Sequence, residues 1–123
     1  MFSVSRKMSK NKFPLPVYKT PIAERKIIEI AQWSVKKWGK KTAREYLANL
    51  EKIINLVASG ELPCQKNTEF STRFSYCLAK QHYIFFEFQD DKLIVVTIYH
   101  TAMHIKERMY EEKLLIQHEI KDI

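Results

Sequence analysis

The sequence predicts an α+β protein in which an N-terminal helical hairpin packs on a small antiparallel β-sheet and a C-terminal helix follows. Three observations support this prediction. Apolar residues recur every three or four positions over residues 20–58, the spacing of helices that bury one face. Over residues 73–78 the spacing changes to alternation, and over residues 82–99 aromatic and β-branched residues, which are common in strands, predominate. Helical spacing returns from residue 105 onward.

Two amphipathic helices form the predicted hairpin. Thr20 and Pro21 fit a helix start, because an oxygen-bearing side chain caps free amides and proline suits the first helical position. Gly39 suits the left-handed conformation at the end of the first helix. Thr42 and Glu45 have the spacing of a capping box at the start of the second. Because only a few residues separate the helices, they are expected to pack antiparallel. Their apolar faces comprise Ile27, Ile30, Ala31, Val35 and Trp38, then Ala43, Tyr46, Leu47, Leu50, Ile53, Ile54 and Val57.

Three strands with short links predict an antiparallel meander. They cover residues 73–78, 82–88 and 92–99, and the near-continuous apolar run in the last strand indicates burial on both faces. Two prolines restrict a first strand over residues 13–19 to the edge of the sheet or to extended coil. A single helix is expected to carry the apolar residues at positions 105, 109, 116, 120 and 123.

Length and charge predict one domain with an anionic partner. The chain has 123 residues, where a domain typically has roughly 100–200. We expect a flexible basic arm over residues 1–12, one domain over residues 13–109 and a helical tail over residues 110–123. The net charge is +7, from 21 Lys and Arg against 14 Asp and Glu, which favours nucleic acid, an acidic protein segment or a membrane surface as partner. The alternative is that the charge serves solubility alone.

Composition excludes several kinds of site. The two glycines, Gly39 and Gly60, are too far apart for the glycine-rich loops that bind dinucleotides or phosphates. The two cysteines, Cys64 and Cys77, lack zinc-site spacing and are expected to be reduced structural thiols, which favours a cytoplasmic location. No segment resembles a signal peptide, and the longest apolar run is too short to span a membrane. We therefore predict no metal, no cofactor and no membrane partner.

Several motifs occur in a fixed order along the chain. They are Ile30-x-x-Trp33, Trp38-Gly39, Ala43-x-x-Tyr46-x-x-x-Leu50, Arg73 at a strand start, His82-Tyr83-Ile84-Phe85-Phe86 and Ile98-Tyr99-His100-x-x-Met103. Together they resemble the RelE/ParE superfamily of toxins from bacterial type II toxin–antitoxin (plasmid stabilisation) systems, over about residues 15–109. The Trp-Gly ending of the first helix and the final His-x-x-Met segment are similar to the ParE branch. This resemblance implies a non-enzymatic toxin that inhibits DNA gyrase and is neutralised by a cognate antitoxin.

The RelE branch is the alternative, and it implies a metal-independent endoribonuclease acting on mRNA at the ribosome. Such cleavage needs a base, an acid and a cation, roles that histidine and arginine side chains can fill. The candidate catalytic residues are Arg73, His82, His100, His104 and Arg108. His82 and His100 are expected on neighbouring strands, and the last three share one face if a helix begins near Thr101. The structural alternatives are strand-end histidines bonded to backbone or water, and an arginine paired with Glu69.

A cluster of basic residues lies where the two helices meet. It comprises Lys36, Lys37, Lys40, Lys41 and Arg44, and we predict that it contacts the target or the antitoxin. The alternative is a solvated hairpin tip. Trp33 and Trp38 are expected to pack in the hairpin.

A third hypothesis for the whole chain is an inactive toxin-fold protein or a module that binds nucleic acid without sequence specificity.

Overall fold

The structure, a computed structural model, describes residues 13–123. The predicted basic arm over residues 1–12 lies outside the described residues. The α+β class, the helical hairpin and the three-stranded meander are confirmed. The elements are β1 (Val17–Lys19), α1 (Pro21–Trp38), α2 (Lys40–Ala58), β2 (Ser75–Ala79), β3 (His82–Gln89), β4 (Lys92–His100), α3 (Ile105–Glu111) and α4 (Lys113–Lys121).

The four strands form one sheet in the order β1-β4-β3-β2. The meander β2–β3–β4 is antiparallel, as predicted, whereas β1 pairs with β4 in parallel and makes the sheet mixed. Val17 lies opposite Leu93, and the amide of Leu93 donates to the carbonyl of Pro16 at 2.9 Å. Prolines are tolerated here because β1 is an edge strand with one hydrogen-bonded neighbour. The parallel direction becomes possible because the hairpin and the meander together return the chain to this edge.

The central strand β4 separates two hydrophobic cores. The helical hairpin covers one face of the sheet, where Leu50, Ile54 and Val95 are buried together. The other face is covered by α3, α4 and the segment before β2. The second core contains Ile22, Phe74, Phe85, Ile94, Val96, Tyr99, Ile105, Met109, Ile116 and Ile120. The C-terminal segment is therefore part of the folded core.

The start of α1 is capped by its own Thr20 and is also bonded to distant parts of the chain. The hydroxyl of Thr20 accepts from the amide of Ala23 at 3.0 Å and donates to the carbonyl of Val96 at 2.8 Å. The amide of Ile22 donates to the Glu119 carboxylate at 2.8 Å. These bonds fill positions that a helix N-terminus otherwise leaves open, and the carboxylate also suits the positive end of the helix dipole. Helix α1 is thereby tied to both β4 and α4.

The predicted capping box at Thr42 and Glu45 is wrong, because α2 begins at Lys40. Gly39 alone makes the junction between the helices, with a φ of 89°. Its amide donates to Val35 at 2.9 Å, and its carbonyl accepts from Ala43 at 3.1 Å. Because this one residue ends α1 and starts α2, no loop remains in which Thr42 could act as a cap.

The predicted C-terminal helix is confirmed, but it is divided into α3 and α4 at Glu112. The Glu112 carboxylate accepts from the hydroxyl of Tyr99 at 2.6 Å and pairs with the ammonium of Lys26 at 3.1 Å. The Lys26 ammonium also lies 3.8 Å from the centre of the Tyr99 ring. Burial lowers the pKa of Lys26, and Glu112 opposes this effect. The break thus coincides with the point where the segment is bonded to α1 and β4.

Thr20→Val should lower the free energy of unfolding by about 1–2 kcal/mol, because it removes the N-cap oxygen and a buried hydrogen bond. Urea denaturation of the purified protein measures the change. Thr42→Val is the matched control, since Thr42 is exposed within α2 and should cost less than about 0.5 kcal/mol. Equal losses in the two variants would contradict the assigned helix starts.

Candidate functional site

Two histidines meet where β3 begins and β4 ends. His82 and His100 are direct partners in the strand register, and their ring centres are 5.1 Å apart. The prediction that they lie on neighbouring strands is confirmed. His82 is buried, with 5% of its surface exposed, whereas His100 is half-buried. The amide of Ala102 donates to Nδ1 of His100 at 3.0 Å. The two rings therefore have different environments.

Tyr46 of α2 connects the hairpin to His82. Its hydroxyl is hydrogen-bonded to Nδ1 of His82 and accepts from the amide of Gln81 at 3.2 Å. Burial raises the pKa of Tyr46, so the phenol keeps its proton near neutral pH. Burial, assisted by the nearby His100, lowers the pKa of His82 to about 4. His82 is therefore a neutral imidazole near neutral pH.

Two tryptophans of α1 extend the group of contacting rings from Tyr46 toward the hairpin tip. The ring of Trp38 lies 5.6 Å from that of Tyr46 and 5.1 Å from that of Trp33. Trp33 in turn lies 6.4 Å from His100 and is 41% exposed. We call the group Trp33, Trp38, Tyr46, His82 and His100 the tryptophan–histidine surface. The expected packing of both tryptophans in the hairpin is met in part, because Trp33 also faces solvent.

The basic cluster lies beside the tryptophan–histidine surface. Lys36 and Lys37 are in the last turn of α1, and Lys40, Lys41 and Arg44 are at the start of α2. The Lys37 ammonium is 5.2 Å from the centre of the Trp33 ring. All five side chains are exposed, and within residues 13–123 none is in an ion pair with a carboxylate.

The helix dipole accounts for only part of this cluster. Cations at a helix C-terminus are stabilised, as for Lys36 and Lys37, but cations at a helix N-terminus are disfavoured. Lys40 and Lys41 are the first residues of α2, and the first turn of that helix holds no acidic residue. The solvated-tip alternative therefore explains the first pair better than the second.

The structure does not bring Arg73 to the histidines. Its guanidinium donates to both oxygens of Glu87, at 2.6 and 3.1 Å, in place of the expected partner Glu69. Arg73 precedes β2, which begins at Ser75, so it does not open the strand as predicted. Glu87 is five residues from His82 along β3, which is about 17 Å at 3.4 Å per residue. Arg73 and the histidine pair thus lie toward opposite ends of the sheet.

The expected shared helix face of His100, His104 and Arg108 is wrong. His100 is the last residue of β4, a turn follows, and α3 begins only at Ile105. The exposed His104 ring lies 3.8 Å from the Glu107 carboxylate, and the exposed Arg108 forms an ion pair with Glu111 at 3.8 Å. The turn forms because the amide of Met103 bonds back to the carbonyl of His100 at 3.0 Å, which ends the strand without starting a helix.

The described residues hold no group of three or more His, Cys, Asp and Glu side chains placed to bind a metal ion. None of the helices within residues 13–123 is long and apolar enough to cross a membrane. Sequence reasoning missed the role of Tyr46, which it assigned only to the apolar face of α2. The signal available was a phenol at a position expected to be buried, because a buried hydroxyl needs a partner.

A family model described as the ParE toxin of the type II toxin–antitoxin system parDE matches residues 17–105. The chain belongs to the ParE toxin family. The toxin ParE of Escherichia coli is 29% identical to it over 91 residues, which cover 73% of this chain and 88% of the relative. A solved chain of the chromosomal ParDE system of P. aeruginosa superposes with a TM-score of 0.63 at 8% identity, covering 74% of this chain and 100% of that chain.

These findings confirm the resemblance to the ParE branch. The matched region contains the hairpin, the whole sheet and the tryptophan–histidine surface. It ends at residue 105, so in this ParE-family chain α4 and all of α3 except its first residue, Ile105, lie beyond it. The second core is therefore completed by a segment outside the family match.

The stability of this ParE-family protein should fall between pH 6.5 and 4 because of His82. The unfolded chain takes up a proton near pH 6.5, whereas folded His82 does so only near pH 4. Each pH unit in this window then lowers the free energy of unfolding by up to about 1.4 kcal/mol. His82→Asn keeps a side chain that can hydrogen-bond Tyr46 but does not titrate, so its acid sensitivity should be smaller by roughly 2–3 kcal/mol at pH 4. Urea denaturation at a series of pH values measures the difference, and identical profiles would contradict it.

Proposed function

We propose that this ParE-family protein arrests bacterial growth by inhibiting DNA gyrase in the cytoplasm and that a cognate antitoxin neutralises it. The observation that carries the proposal is the exposed ring of Trp33 next to Lys37 and the other four cations of the hairpin tip. Tryptophan is enriched among the few side chains that carry most of the binding energy of protein interfaces. The proposal makes this protein an inhibitor that acts by binding and not an enzyme.

The rigidity of its surroundings makes Trp33 a suitable anchor. Its ring contacts Trp38 edge-on, and Trp38 contacts Tyr46, which is bonded to His82 of the sheet. An anchor that is already ordered loses little side-chain freedom on binding, which favours affinity. The neighbouring cations add long-range attraction to an acidic surface and speed association.

The position of Lys40 and Lys41 supports a binding role for the basic cluster. At the N-terminus of α2 these cations oppose the helix dipole and have no carboxylate partner among the described residues. Their cost in stability is small, about 0.3–1 kcal/mol for each charge. An interface that needs positive charge at the tip provides a reason for that cost.

The antitoxin part of the proposal draws on the family and on charge. The P. aeruginosa chain that shares this fold is described as part of a ParDE toxin–antitoxin system. A net charge of +7 suits an acidic segment that folds on binding along the hairpin and an exposed sheet edge. The antitoxin would then neutralise the charge that we assign to target binding.

The ribonuclease alternative receives less support from the geometry. His82 is buried, neutral and engaged with Tyr46, and Arg73 is occupied by both oxygens of Glu87. A metal-independent cleavage site requires its base, acid and cation to reach one phosphate. Only His82 and His100 of the candidate set lie together. Cleavage of RNA by the purified protein would therefore contradict the proposal.

Trp33→Ala should raise the concentration of protein needed to inhibit gyrase supercoiling by about 10–100-fold, because a hot-spot side chain is lost. Purified gyrase and plasmid DNA provide the assay, and circular dichroism checks the fold. Tyr110→Ala is the matched control, since it removes an aromatic ring that is 77% exposed on α3. Equal effects of the two variants, or no inhibition by the wild type, would contradict the proposal.

Reversing the charge of Lys40 and Lys41 to Glu should slow association with gyrase about tenfold or more at low salt, with a smaller effect at high salt. Lys113→Glu with Lys121→Glu changes the net charge equally on α4 and should have a weaker effect.

In cells, induction of the wild type should first reduce the incorporation of labelled thymidine. An earlier fall in methionine incorporation, abolished by His100→Ala, would favour the ribonuclease.

A further inference from the structure

The segment after α2 returns along the outer edge of β2. Gln65 and Tyr76 form an isolated antiparallel bridge, and each amide donates to the other carbonyl, at 2.8 and 2.9 Å. The opposite edge of β2 pairs with β3. The segment around Gln65 therefore covers the free edge of the sheet at Tyr76.

This bridge places Cys64 and Cys77 opposite each other. Because Gln65 and Tyr76 exchange both hydrogen bonds, the next pair along the ladder is a non-hydrogen-bonded pair, with Cα atoms about 4.5 Å apart. Disulfides span Cα separations of about 4.4–6.8 Å. The two Sγ atoms are 3.6 Å apart, and both side chains pack on the hairpin side of the sheet. The pair can thus be bridged with little movement of the backbone.

We propose that Cys64 and Cys77 form a dithiol that is converted into an intramolecular disulfide by a low-molecular-weight disulfide such as glutathione disulfide. This modification site is independent of the gyrase-binding surface. The sequence expectation of reduced structural thiols fits the free cysteines of the structure. The proposal adds that their placement supports reversible oxidation.

The exchange proceeds in two balanced steps. The thiolate of Cys64 attacks one sulfur of glutathione disulfide, forms a mixed disulfide and releases one glutathione thiolate. The thiolate of Cys77 then attacks Sγ of Cys64, forms the internal disulfide and releases the second glutathione. Two protein thiols are oxidised by two electrons, and one glutathione disulfide is reduced to two glutathiones. The two protons from the protein thiols end on the released glutathiones.

Exposure assigns the order of these steps. Cys64 is half-buried and reachable from solvent, whereas Cys77 is 5% exposed. The hydrogen bond between the two thiols raises the pKa of Cys64 and lowers that of Cys77, so solvent access and not acidity assigns the first step to Cys64. Cys64 is therefore the entry point, and Cys77 resolves the mixed disulfide from within the core.

The disulfide would fix the segment of residues 61–74 to the sheet edge. Phe70 and Arg73 lie in the loop that the bond closes, and Phe70 packs on the second core. Cross-linking a loop of this length removes freedom mainly from the open state. We therefore expect the amides of Gln65 and Tyr76 to exchange with deuterium about 100-fold more slowly after oxidation.

The test equilibrates the full chain with glutathione buffers of increasing oxidised fraction, then alkylates the free thiols and determines the intact mass. The expected product lacks two hydrogens, carries no glutathione and has no alkylated cysteine, and dithiothreitol restores both thiols. Cys77→Ser should instead retain glutathione on Cys64, and Cys64→Ser should keep a free thiol on Cys77. Amide exchange then compares the two wild-type forms.

Three results would overturn the proposal. The first is wild type that keeps both thiols free in the most oxidising buffer. The second is wild type that accumulates glutathione on Cys64 without closing the ring. The third is a disulfide between two chains in place of the internal one. Because wild type is the sample in each case, a folding defect in a variant cannot produce these results.

Discussion

The burial of β4 on both faces is the constraint on which the rest of the structure depends. Leu93, Ile94, Val95 and Val96 are fully inaccessible to solvent, so each face of the sheet needs its own covering layer. The helical hairpin provides one layer and the C-terminal segment provides the other. A helix-covered sheet of this kind can satisfy its apolar surface only when both layers are in place. In this chain the segment beyond the family match supplies part of the second layer, through Met109, Ile116 and Ile120.

The two layers are held together at one end of α1, which leaves its other end available for binding. Thr20 bonds to β4, and the amide of Ile22 bonds to Glu119 of α4. A helix of 18 residues is about 27 Å long, so Trp33 and Lys37 lie far from this anchored end. At its C-terminal end, α1 is held by contacts from Trp38 to Tyr46 and from Trp33 to His100. Rigid elements thus present an exposed surface, as binding sites require.

Local sequence patterns predicted most of the helices and strands. The features that these patterns missed depend mainly on contacts between residues remote in sequence. The period of the apolar residues located both hairpin helices, since each buries one face, and β-branched and aromatic composition located the meander strands. The capping-box prediction at Thr42 was wrong because a single glycine, Gly39, joins the helices. The break at Glu112 was missed because its partners, Tyr99 and Lys26, are remote in sequence. In the candidate site, the pairing of His82 with His100 followed from the strand order, whereas the bond to Tyr46 depends on how the hairpin sits on the sheet.

The distribution of polar groups separates the requirements of a binding protein from those of a nuclease. A nuclease needs its acid, base and cation to converge on one reacting phosphate. Here the lysines of the basic cluster lie at the hairpin tip, and Arg73 is paired with Glu87. His82 is buried between Tyr46 and His100, and its lowered pKa keeps it neutral. An inhibitor that acts by binding needs no such convergence, only an ordered and exposed anchor with complementary charge around it. In this architecture the buried histidine joins the hairpin to the sheet through Tyr46, and the ring of Tyr46 contacts Trp38, which in turn contacts Trp33.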